Sequence, residues 1–325
     1  MYQSHMHPTL YMPAKLAPSK LLQVINEHTV TFGKEGAPGD VDSFDNVRRV
    51  VICTEDSVSD EELPQALINL GDTLENIDEN AQVCVYVRVR NQDVFKYVLE
   101  LPGITNVTGF VIPKAEPVSF PQYADQLVDS EFLLMPILEA SNMVALSFRE
   151  HLREILMNYK ERIDCVRIGA NDMLGHLGIR RDPHQLTVYE GPVGQTILAV
   201  INEFRGINRF AITAPVFECY GSQYDMLFRR ELHRSVSYGL FGQTTIHPRH
   251  LRIISDLYRV ANDDLVSARS ILDSDAAVNG LNGRMDEKSV HSEWAKQIVD
   301  RAALFGTASP AALDPADDNV VSIAG

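Results

Sequence analysis

The runs MPILEA (residues 135–140) and RIGANDML (residues 167–174) decide how this chain is interpreted. Each run is apolar and strand-like, and each brings one carboxylate, Glu139 or Asp172, to the point where a helical pattern begins. In parallel α/β folds, the side chains that follow the carboxyl end of a strand form the active site. Two such acids can hold one divalent cation, so the runs predict a parallel α/β fold with a cation site.

Strand and helix patterns alternate outward from these two runs. Apolar, β-branched stretches predict eight strands, at residues 9–12, 50–53, 83–89, 107–112, 132–138, 165–168, 210–213 and 243–246. Amphipathic stretches predict helices at residues 14–28, 59–77, 94–101, 143–159, 194–204, 224–238 and 251–272. This alternation predicts a (β/α)8 TIM barrel, and the alternative that it leaves open is a doubly wound open sheet.

Polar segments set the expected domain boundaries. Residues 32–45 are rich in Gly and Asp, and we predict that they form a surface loop. We expect the barrel to occupy residues 1–272. A C-terminal extension over residues 273–306 begins with a polar linker at 273–282 and ends in a helix. Residues 307–325, with their Ala, Pro and Asp content, are predicted to form a flexible tail.

The composition is that of a globular protein in a reducing compartment. The chain has 325 residues, of which 45% are hydrophobic, and this is enough to bury a large core. No run approaches the ~20 apolar residues that span a bilayer, and the N-terminus lacks a signal-peptide layout. We therefore expect a cytoplasmic protein with no membrane partner. Four cysteines lie far apart in sequence and are predicted to be reduced core thiols: Cys53, Cys84, Cys165 and Cys219.

The charge balance excludes one class of partner and restricts another. There are 44 acidic and 29 basic residues, which give a net charge of -15. A nucleic-acid backbone would be repelled by this excess of negative charge, so we expect no nucleic-acid partner. A small anionic substrate requires a local cluster of Arg and Lys. Neither GxGxxG nor GxxxxGK occurs, so no Gly-rich phosphate loop is predicted.

Charged side chains follow most of the predicted strands and would meet at one rim of the barrel. They are Glu55, Asp56, Arg88, Arg90, Lys114, Glu139 and Asp172. We predict that Glu139 and Asp172 hold Mg2+, with water and substrate oxygens completing an octahedral shell. Arg88 would then offer a bidentate fork to a substrate carboxylate.

A structural interpretation stands beside each of these assignments. A carboxylate at a strand end is as often a helix N-cap as a ligand, and Asp172 is well placed to be one. Arg88 and Arg90 would share one face of a strand, and a solvated edge has the same pattern. Lys114 could simply pair with Glu116. Glu55 and Asp56 precede a helix start, where the helix dipole favours acids.

Six runs follow one another along the chain: TEDSV (54–58), VRVRN (87–91), VIPKAE (111–116), LMPILEA (134–140), IGANDML (168–174) and GLFGQTTIHP (239–248). In that order they resemble LEDSV, VRVN, LPKVE, LPLIETA, FGxxDL and GFxGKxxIHP of the HpcH/HpaI aldolase and citrate lyase β-subunit family. The resemblance covers roughly residues 9 to 305. The resemblance implies a TIM barrel that cleaves or forms a carbon–carbon bond in a β-hydroxy acid or its coenzyme A thioester.

The resemblance also implies roles for single residues. Glu139 and Asp172 would bind Mg2+, with Mn2+ as a substitute, and Arg88 would contact the substrate carboxylate and the enolate. Arg90, Lys114 and His247 are further candidates for substrate binding, and Glu55 and Asp56 for catalysis.

In related lyases, an Asp on a C-terminal extension is the acid/base residue and is offered to a neighbouring subunit. GRMDE (283–287) is similar to that run, so Asp286 is our candidate, with Glu287 as a substitute. We therefore expect the extension to form a lid in a homo-oligomer, a trimer or a hexamer.

The sequence also departs from the family pattern. The opening RSxLFVPG is replaced by HPTLYMPA (7–14), an acid after the seventh strand by Thr213, and a Lys by Gln243. These losses weaken coenzyme A recognition more than metal binding, and they leave open whether the thioester or a free acid is the substrate.

Two alternatives also remain open: a catalytically degenerate metal- and ligand-binding barrel that serves as a partner subunit, and a class II aldolase that releases pyruvate enolate. His247 and His250 could form a metal pair, but a helix start has the same spacing.

Overall fold

The computed structural model describes residues 4–35, 39–182, 186–281 and 284–309. These residues fall into two compact units, which divide between Arg252 and Ile253, whereas the sequence suggested a boundary at 272/273. Most of the predicted flexible tail lies outside the described residues. No described helix combines the length and apolar character that crossing a membrane requires.

The strands are, in chain order, β1 (Thr9–Pro13), β2 (Val30–Gly33), β3 (Val41–Phe44), β4 (Arg49–Cys53), β5 (Cys84–Arg88), β6 (Gly109–Ile112), β7 (Leu133–Leu138), β8 (Arg167–Ile168), β9 (Thr244–Thr245), β10 (Val260–Ala261), β11 (Val278–Leu281), β12 (Arg284–Glu287) and β13 (Thr307–Ala308). The α-helices are α1 (Pro18–Glu27), α2 (Leu63–Glu75), α3 (Gln92–Leu99), α4 (Ser119–Ala124), α5 (Leu146–Asn158), α6 (Ala170–His176), α7 (Pro192–Val200), α8 (Asp225–Ser237), α9 (Arg249–Leu257), α10 (Asn262–Asp273) and α11 (Lys288–Phe305).

The first unit is built around a parallel sheet with the strand order β8-β7-β6-β5-β4-β1-β9. Two single bridges continue the ring beyond β8: Val166 pairs with Ile212, and Thr213 pairs with Phe241, just before β9. Since β9 also pairs with β1, hydrogen bonding runs round a closed ring. The prediction of a TIM barrel is therefore confirmed, and the seventh predicted strand, 210–213, is reduced to single bridges.

The barrel strands are buried on both faces, as parallel strands covered by helices must be. Because successive side chains point to opposite faces, Val50 and Ile52 join the large core under the helices. Val51 between them joins a separate cluster with Tyr86, Val111, Met135 and Cys165, and this second cluster lies in the barrel interior. All four cysteines are free, as predicted, but Cys84 and Cys219 are only partly buried.

Two sequence predictions of secondary structure are wrong. The predicted loop 32–45 contains β3 and part of β2, which pair as an antiparallel hairpin with Val30 opposite Phe44. Val30 and Phe32 alternate with other residues in β2, but β3 reads VDSF and has no such alternation, so no strand pattern marks this half of the hairpin in the sequence. The single helix predicted at 251–272 is two helices, because α9 ends at Leu257 and the short strand β10 intervenes. Acidic residues in the first turn of α10 favour a new helix start there.

The second unit has its own small core. Helices α10 and α11 pack together, and Val260, Ala268, Ile271, Ala295 and Ile298 form a buried cluster. The predicted polar linker is wrong in part, because β11 pairs with β12 as an antiparallel hairpin. Hairpin pairing across these residues replaces the irregular chain that the polar composition suggested. The role of this region as a lid on a neighbouring subunit stays a prediction.

Candidate active site

A cavity of about 260 Å³ opens at the carboxyl ends of the barrel strands. Its wall carries Asp56, Arg88, Glu139 and Asp172, which are four of the residues that the sequence identified as candidates. Tyr11, Arg167 and Thr244 also line it. Four of the seven charged residues predicted at the rim therefore share one cavity, and this cavity extends into the barrel interior beneath them.

Glu139 follows β7 directly and is almost completely buried. Its Oε1 accepts a hydrogen bond of 2.9 Å from the backbone N–H of Lys114. To present this N–H, Lys114 adopts a left-handed backbone conformation with a φ of 47°, which is uncommon for a residue other than glycine. Lys114 thus serves the site through its backbone, and its side chain is exposed.

Gly169 makes room for the Glu139 carboxylate. A Cβ atom at position 169 would overlap Oε2 and Cβ of Glu139, so only glycine fits between β8 and α6. Asp172 then lies in the first turn of α6. The N-cap position of this helix is Gly169, and that of the turn after Glu139 is Ala140; neither residue makes a side-chain cap. The N-cap interpretation is therefore wrong for both acids.

The electrostatics at Glu139 suit a bound cation. Burial and the nearby negative charge of Asp172 raise its pKa to about 8, although Arg88 and the Lys114 N–H act in the opposite direction. A cation beside a buried carboxylate favours its ionised form and offsets the repulsion from a second carboxylate nearby. No group of three or more His, Cys, Asp or Glu side chains that could hold a metal occurs among the described residues. Water and substrate oxygens would fill the other positions, as is usual for Mg2+.

Arg88 is enclosed by carboxylates. It forms ion pairs with Glu55, with Asp56 at 3.0 Å (Nη1 to Oδ2) and with Glu139 at 3.7 Å (Nη2 to Oε1). Burial raises the pKa of Glu55, and the charge of Arg88 lowers it. The sequence treated this guanidinium as an open fork, but the structure engages both of its terminal nitrogens. Its contact with substrate stays a prediction.

Two of the other candidates do not line the cavity. Arg90 pairs with Asp60 and donates to the backbone carbonyls of Thr54 and Val58, so it holds the loop that presents Glu55 and Asp56. His247 stacks on Tyr220 with 4.8 Å between ring centroids. Burial, followed by the positive charge of Arg249, lowers the pKa of His247.

Two remaining candidates also have defined surroundings. His250, the partner in the alternative metal pair, stacks on Phe228 at 4.2 Å, and burial lowers its pKa to about 4. Asp286 belongs to the second unit, where it is buried and its Oδ2 accepts a 3.0 Å hydrogen bond from Ser267. Its role as an acid or base stays a prediction.

Sequence reasoning missed the residues at the floor of the cavity. Arg167 lies in the quoted run RIGANDML, but it was not given a role. The signal was present, because an arginine two residues after Cys165 in a parallel strand must face the barrel interior with it. The contacts of Tyr11 and Thr244 with this side chain are tertiary and leave no pattern in the sequence.

Comparison with known proteins agrees with this geometry. A family model described as carbon–carbon bond lyases of the TIM-barrel fold matches residues 3–307. The chain belongs to this family. Comparison with curated protein sequences gives no significant match.

Solved structures show how the fold of this carbon–carbon bond lyase family member compares. CitE from Mycobacterium tuberculosis, in complex with magnesium, acetoacetate and coenzyme A, is 17% identical with a TM-score of 0.63, covering 92% of this chain and 99% of that one. A citrate lyase from Burkholderia xenovorans is 12% identical with a TM-score of 0.64, covering 95% of each chain. A lead(II) complex of malate synthase from Haloferax volcanii is 14% identical, covering 76% and 71% at a TM-score of 0.54. At these identities the likeness establishes the shared fold.

Proposed function

We propose that this carbon–carbon bond lyase family member is Mg2+-dependent and cleaves or forms the bond in a β-hydroxy acid by an aldol or Claisen reaction. The observation that carries the proposal is the convergence of Glu139, Asp172 and Arg88 on one cavity at the carboxyl ends of the strands. Membership of the lyase family supports it. Magnesium in the CitE complex supports the choice of cation.

Each wall residue has a task in this reaction. Glu139 and Asp172 would hold the cation, which when bound supplies Lewis acidity that polarises a substrate oxygen. Asp56 lines the cavity with an exposed side chain, so it is placed to take the hydroxyl proton. The oxygen lone pair then forms a carbonyl, the carbon–carbon bond breaks, and its electron pair becomes an enolate. Arg88 stabilises that developing negative charge.

The choice of base distinguishes two arrangements. Asp56 would act within one chain, whereas Asp286 would act on the site of a neighbouring subunit in a trimer or hexamer. Asp56→Asn and Asp286→Asn separate them when proton exchange is measured for each variant. An exchange rate that falls only in Asp286→Asn, together with an oligomer in sedimentation, would assign the base to the extension.

Enolate formation tests the proposal directly. Purified protein with Mg2+ is incubated in deuterated water with pyruvate, oxaloacetate or acetyl-CoA, and deuterium uptake is followed by NMR. We expect uptake into at least one compound, and loss of that uptake in Glu139→Gln. Retained Mg2+ binding without any uptake would favour the degenerate barrel that acts as a partner subunit. Pyruvate and an aldehyde as products would identify the class II aldolase.

Further parts of the proposal concern the surroundings of the site. A coenzyme A thioester is one candidate substrate, supported by the coenzyme A in the CitE complex, and Mn2+ is proposed as a substitute for Mg2+. Gln243, which replaces a family Lys, is buried and donates to the carbonyl of Pro215, so it offers no charge to a nucleotide phosphate. This favours a free acid as substrate. A cytoplasmic location and the homo-oligomer are proposed from the sequence.

A further inference from the structure

The cavity is polarised between its rim and its floor. At the rim, Arg88 forms ion pairs with Glu55, Asp56 and Glu139, and Asp172 adds a fourth carboxylate beside them. The floor carries a buried arginine, Arg167. A cation suits the rim, and an anion suits the floor.

Arg167 is 2% exposed and points into the barrel interior. One terminal nitrogen, Nη2, donates to Oγ1 of Thr244, and Nη1 lies 3.7 Å from the sulfur of Met135. Its guanidinium carbon stands 5.2 Å from the ring centroid of Tyr11, which gives a cation–π contact. Within residues 4–35, 39–182, 186–281 and 284–309, no carboxylate forms an ion pair with it.

One largely buried acid of the barrel, Asp164, pairs with a different arginine. Arg49 lies deeper in the barrel, contacts the same Met135 sulfur at 3.3 Å and forms an ion pair with Asp164. Asp164 also accepts a 3.0 Å hydrogen bond from the hydroxyl of Tyr86. Of the buried guanidinium groups of Arg49 and Arg167, the deeper one, that of Arg49, has Asp164 as its carboxylate partner. The positive charge of Arg167 remains uncompensated by any described acid.

A buried charge without a counter-charge costs free energy, since the desolvation penalty is not repaid by attraction. One hydroxyl and one aromatic face offset part of that cost. Because Arg167 lines a cavity, an anionic ligand can reach it and supply the missing charge. A planar guanidinium is also the side chain that best matches a carboxylate.

The position of Arg167 along β8 sets the length of that ligand. Gly169, two residues further along the chain, is the residue against which the Glu139 carboxylate packs. Two residues of strand span roughly 7 Å, so Arg167 lies about one interior layer below the proposed cation. An acid of four or five carbons, chelated at the rim by its first carboxylate and its neighbouring oxygen, places a second carboxylate at this depth.

We propose that Arg167 is a specificity-determining residue that binds the second carboxylate of a small dicarboxylic acid, so that the substrate class of this site is a free dicarboxylate. This inference rests on the proposed function for the orientation of the substrate. Thr244 positions the guanidinium through its hydroxyl, and Tyr11 supports its face. A thioester in place of the second carboxylate would supply no counter-charge to Arg167.

Matched pairs of acids test the inference without any variant. The first pair is 2-oxoglutarate and 2-oxovalerate, which share a five-carbon skeleton and differ by a carboxylate in place of a methyl group. The second pair is malate and 2-hydroxybutyrate, with four carbons. We expect the wild-type protein with Mg2+ to bind the dicarboxylate of at least one pair about tenfold or more tighter in calorimetric titration, which corresponds to ~1.4 kcal/mol. Equal affinity within both pairs would overturn the inference.

Substitutions at the floor of the cavity then show which residue causes the preference for the dicarboxylate. In Arg167→Met we expect the dicarboxylate to bind no better than its monocarboxylate partner, while the affinity for the monocarboxylate and for Mg2+ stays unchanged. Arg167→Lys keeps the charge but loses the fork, so it should retain part of the preference. Thr244→Val should reduce the preference for the dicarboxylate only a few-fold, because the positive charge of Arg167 remains. A full preference in Arg167→Met would overturn the inference.

The two proposals fail in different ways. If Mg2+ does not bind, or binds Glu139→Gln as well as wild type, the proposed function fails. The dicarboxylate preference, repeated without Mg2+, still reports on Arg167 because the floor charge does not depend on the cation. If Mg2+ binds and deuterium exchanges but no dicarboxylate is preferred, only the inference about Arg167 fails.

Discussion

Arg88 and Arg167 face the same cavity from its rim and its floor, and their surroundings are opposite. Arg88 has three carboxylate partners, whereas Arg167 has a hydroxyl, a thioether and an aromatic ring. The first guanidinium is part of a network that holds the acids in place. The positive charge of the second guanidinium is not balanced by an ion pair with any described acid. The comparison teaches that two buried arginines can differ in how far nearby carboxylates already balance their charge, and this difference separates the network at the rim from the proposed anion site at the floor.

The largest expected effect is a difference in stability between the two arginines. Arg88→Met leaves Glu55 and Glu139 buried without their counter-charge, and we expect the free energy of unfolding to fall by about 4 kcal/mol at neutral pH. Arg167→Met removes an uncompensated charge, so the stability should stay the same or rise by ~1 kcal/mol. Chemical denaturation without metal or substrate measures both. Equal losses in the two variants would contradict the comparison.

Arg49 has in Asp164 the carboxylate partner that Arg167 lacks among the described residues. This pair predicts that the stability of the protein depends on pH. Burial alone would raise the pKa of Asp164, but the attraction and hydrogen bond of Arg49 outweigh it, so the folded-state pKa lies below the usual value. Its contribution to stability is therefore complete above the unfolded-state pKa of ~3.9 and is lost as the pH falls through the folded-state value.

The variant Asp164→Asn tests this dependence. We expect it to lose about 3 kcal/mol at neutral pH, because the buried guanidinium of Arg49 loses the negative charge of Asp164. Below pH ~4 the wild-type stability should converge on that of the variant. Denaturation curves at a series of pH values give the result, and an offset that persists at the lowest pH would show that Asp164 acts through packing instead.

At the rim, metal affinity is the next largest effect. We expect Glu139→Gln and Asp172→Asn each to weaken Mg2+ binding by ~100-fold, since each removes one of two protein carboxylates from the proposed site. The exposed Glu116→Gln is the matched control and should bind Mg2+ as wild type does. Calorimetric titration compares the three. Unchanged binding in the first two would remove the cation site from this rim.

The smallest effect concerns the glycine that separates the rim from the floor. Gly169→Ala places a Cβ against the Glu139 carboxylate, so we expect a loss of ~2 kcal/mol in stability and a weaker Mg2+ affinity. Gly175→Ala in α6 is the matched control, because nothing lies within 4 Å of the added Cβ, and it should stabilise the helix by ~0.5–1 kcal/mol. Equal behaviour of the two variants would show that the Glu139 carboxylate moves freely.

Much of the rim was predictable from the sequence, because at the end of each strand an apolar, strand-like run gives way to the spacing of a helix. Asp56, Arg88, Glu139 and Asp172 were identified in this way, and the structure brings them to one cavity. The interpretation of Lys114 was incomplete, since its backbone N–H rather than its ammonium contacts Glu139. Arg90 was placed on the same face as Arg88, yet it lies beyond the end of β5 and turns to the loop after β4. Periodicity does not apply once the strand has ended.

By itself, the sequence determined the alternation of strands and helices, and with it the barrel and the end of the barrel where charged side chains gather. These properties follow from local periodicity and from the rule that parallel strands align their carboxyl ends. Only the tertiary structure decided which charges meet. Among the described residues, it gave Arg88 three acids and paired Asp164 with Arg49, and it brought no acid into an ion pair with Arg167. Ion pairs form between residues far apart in the chain, so their presence or absence is fixed by packing across the barrel.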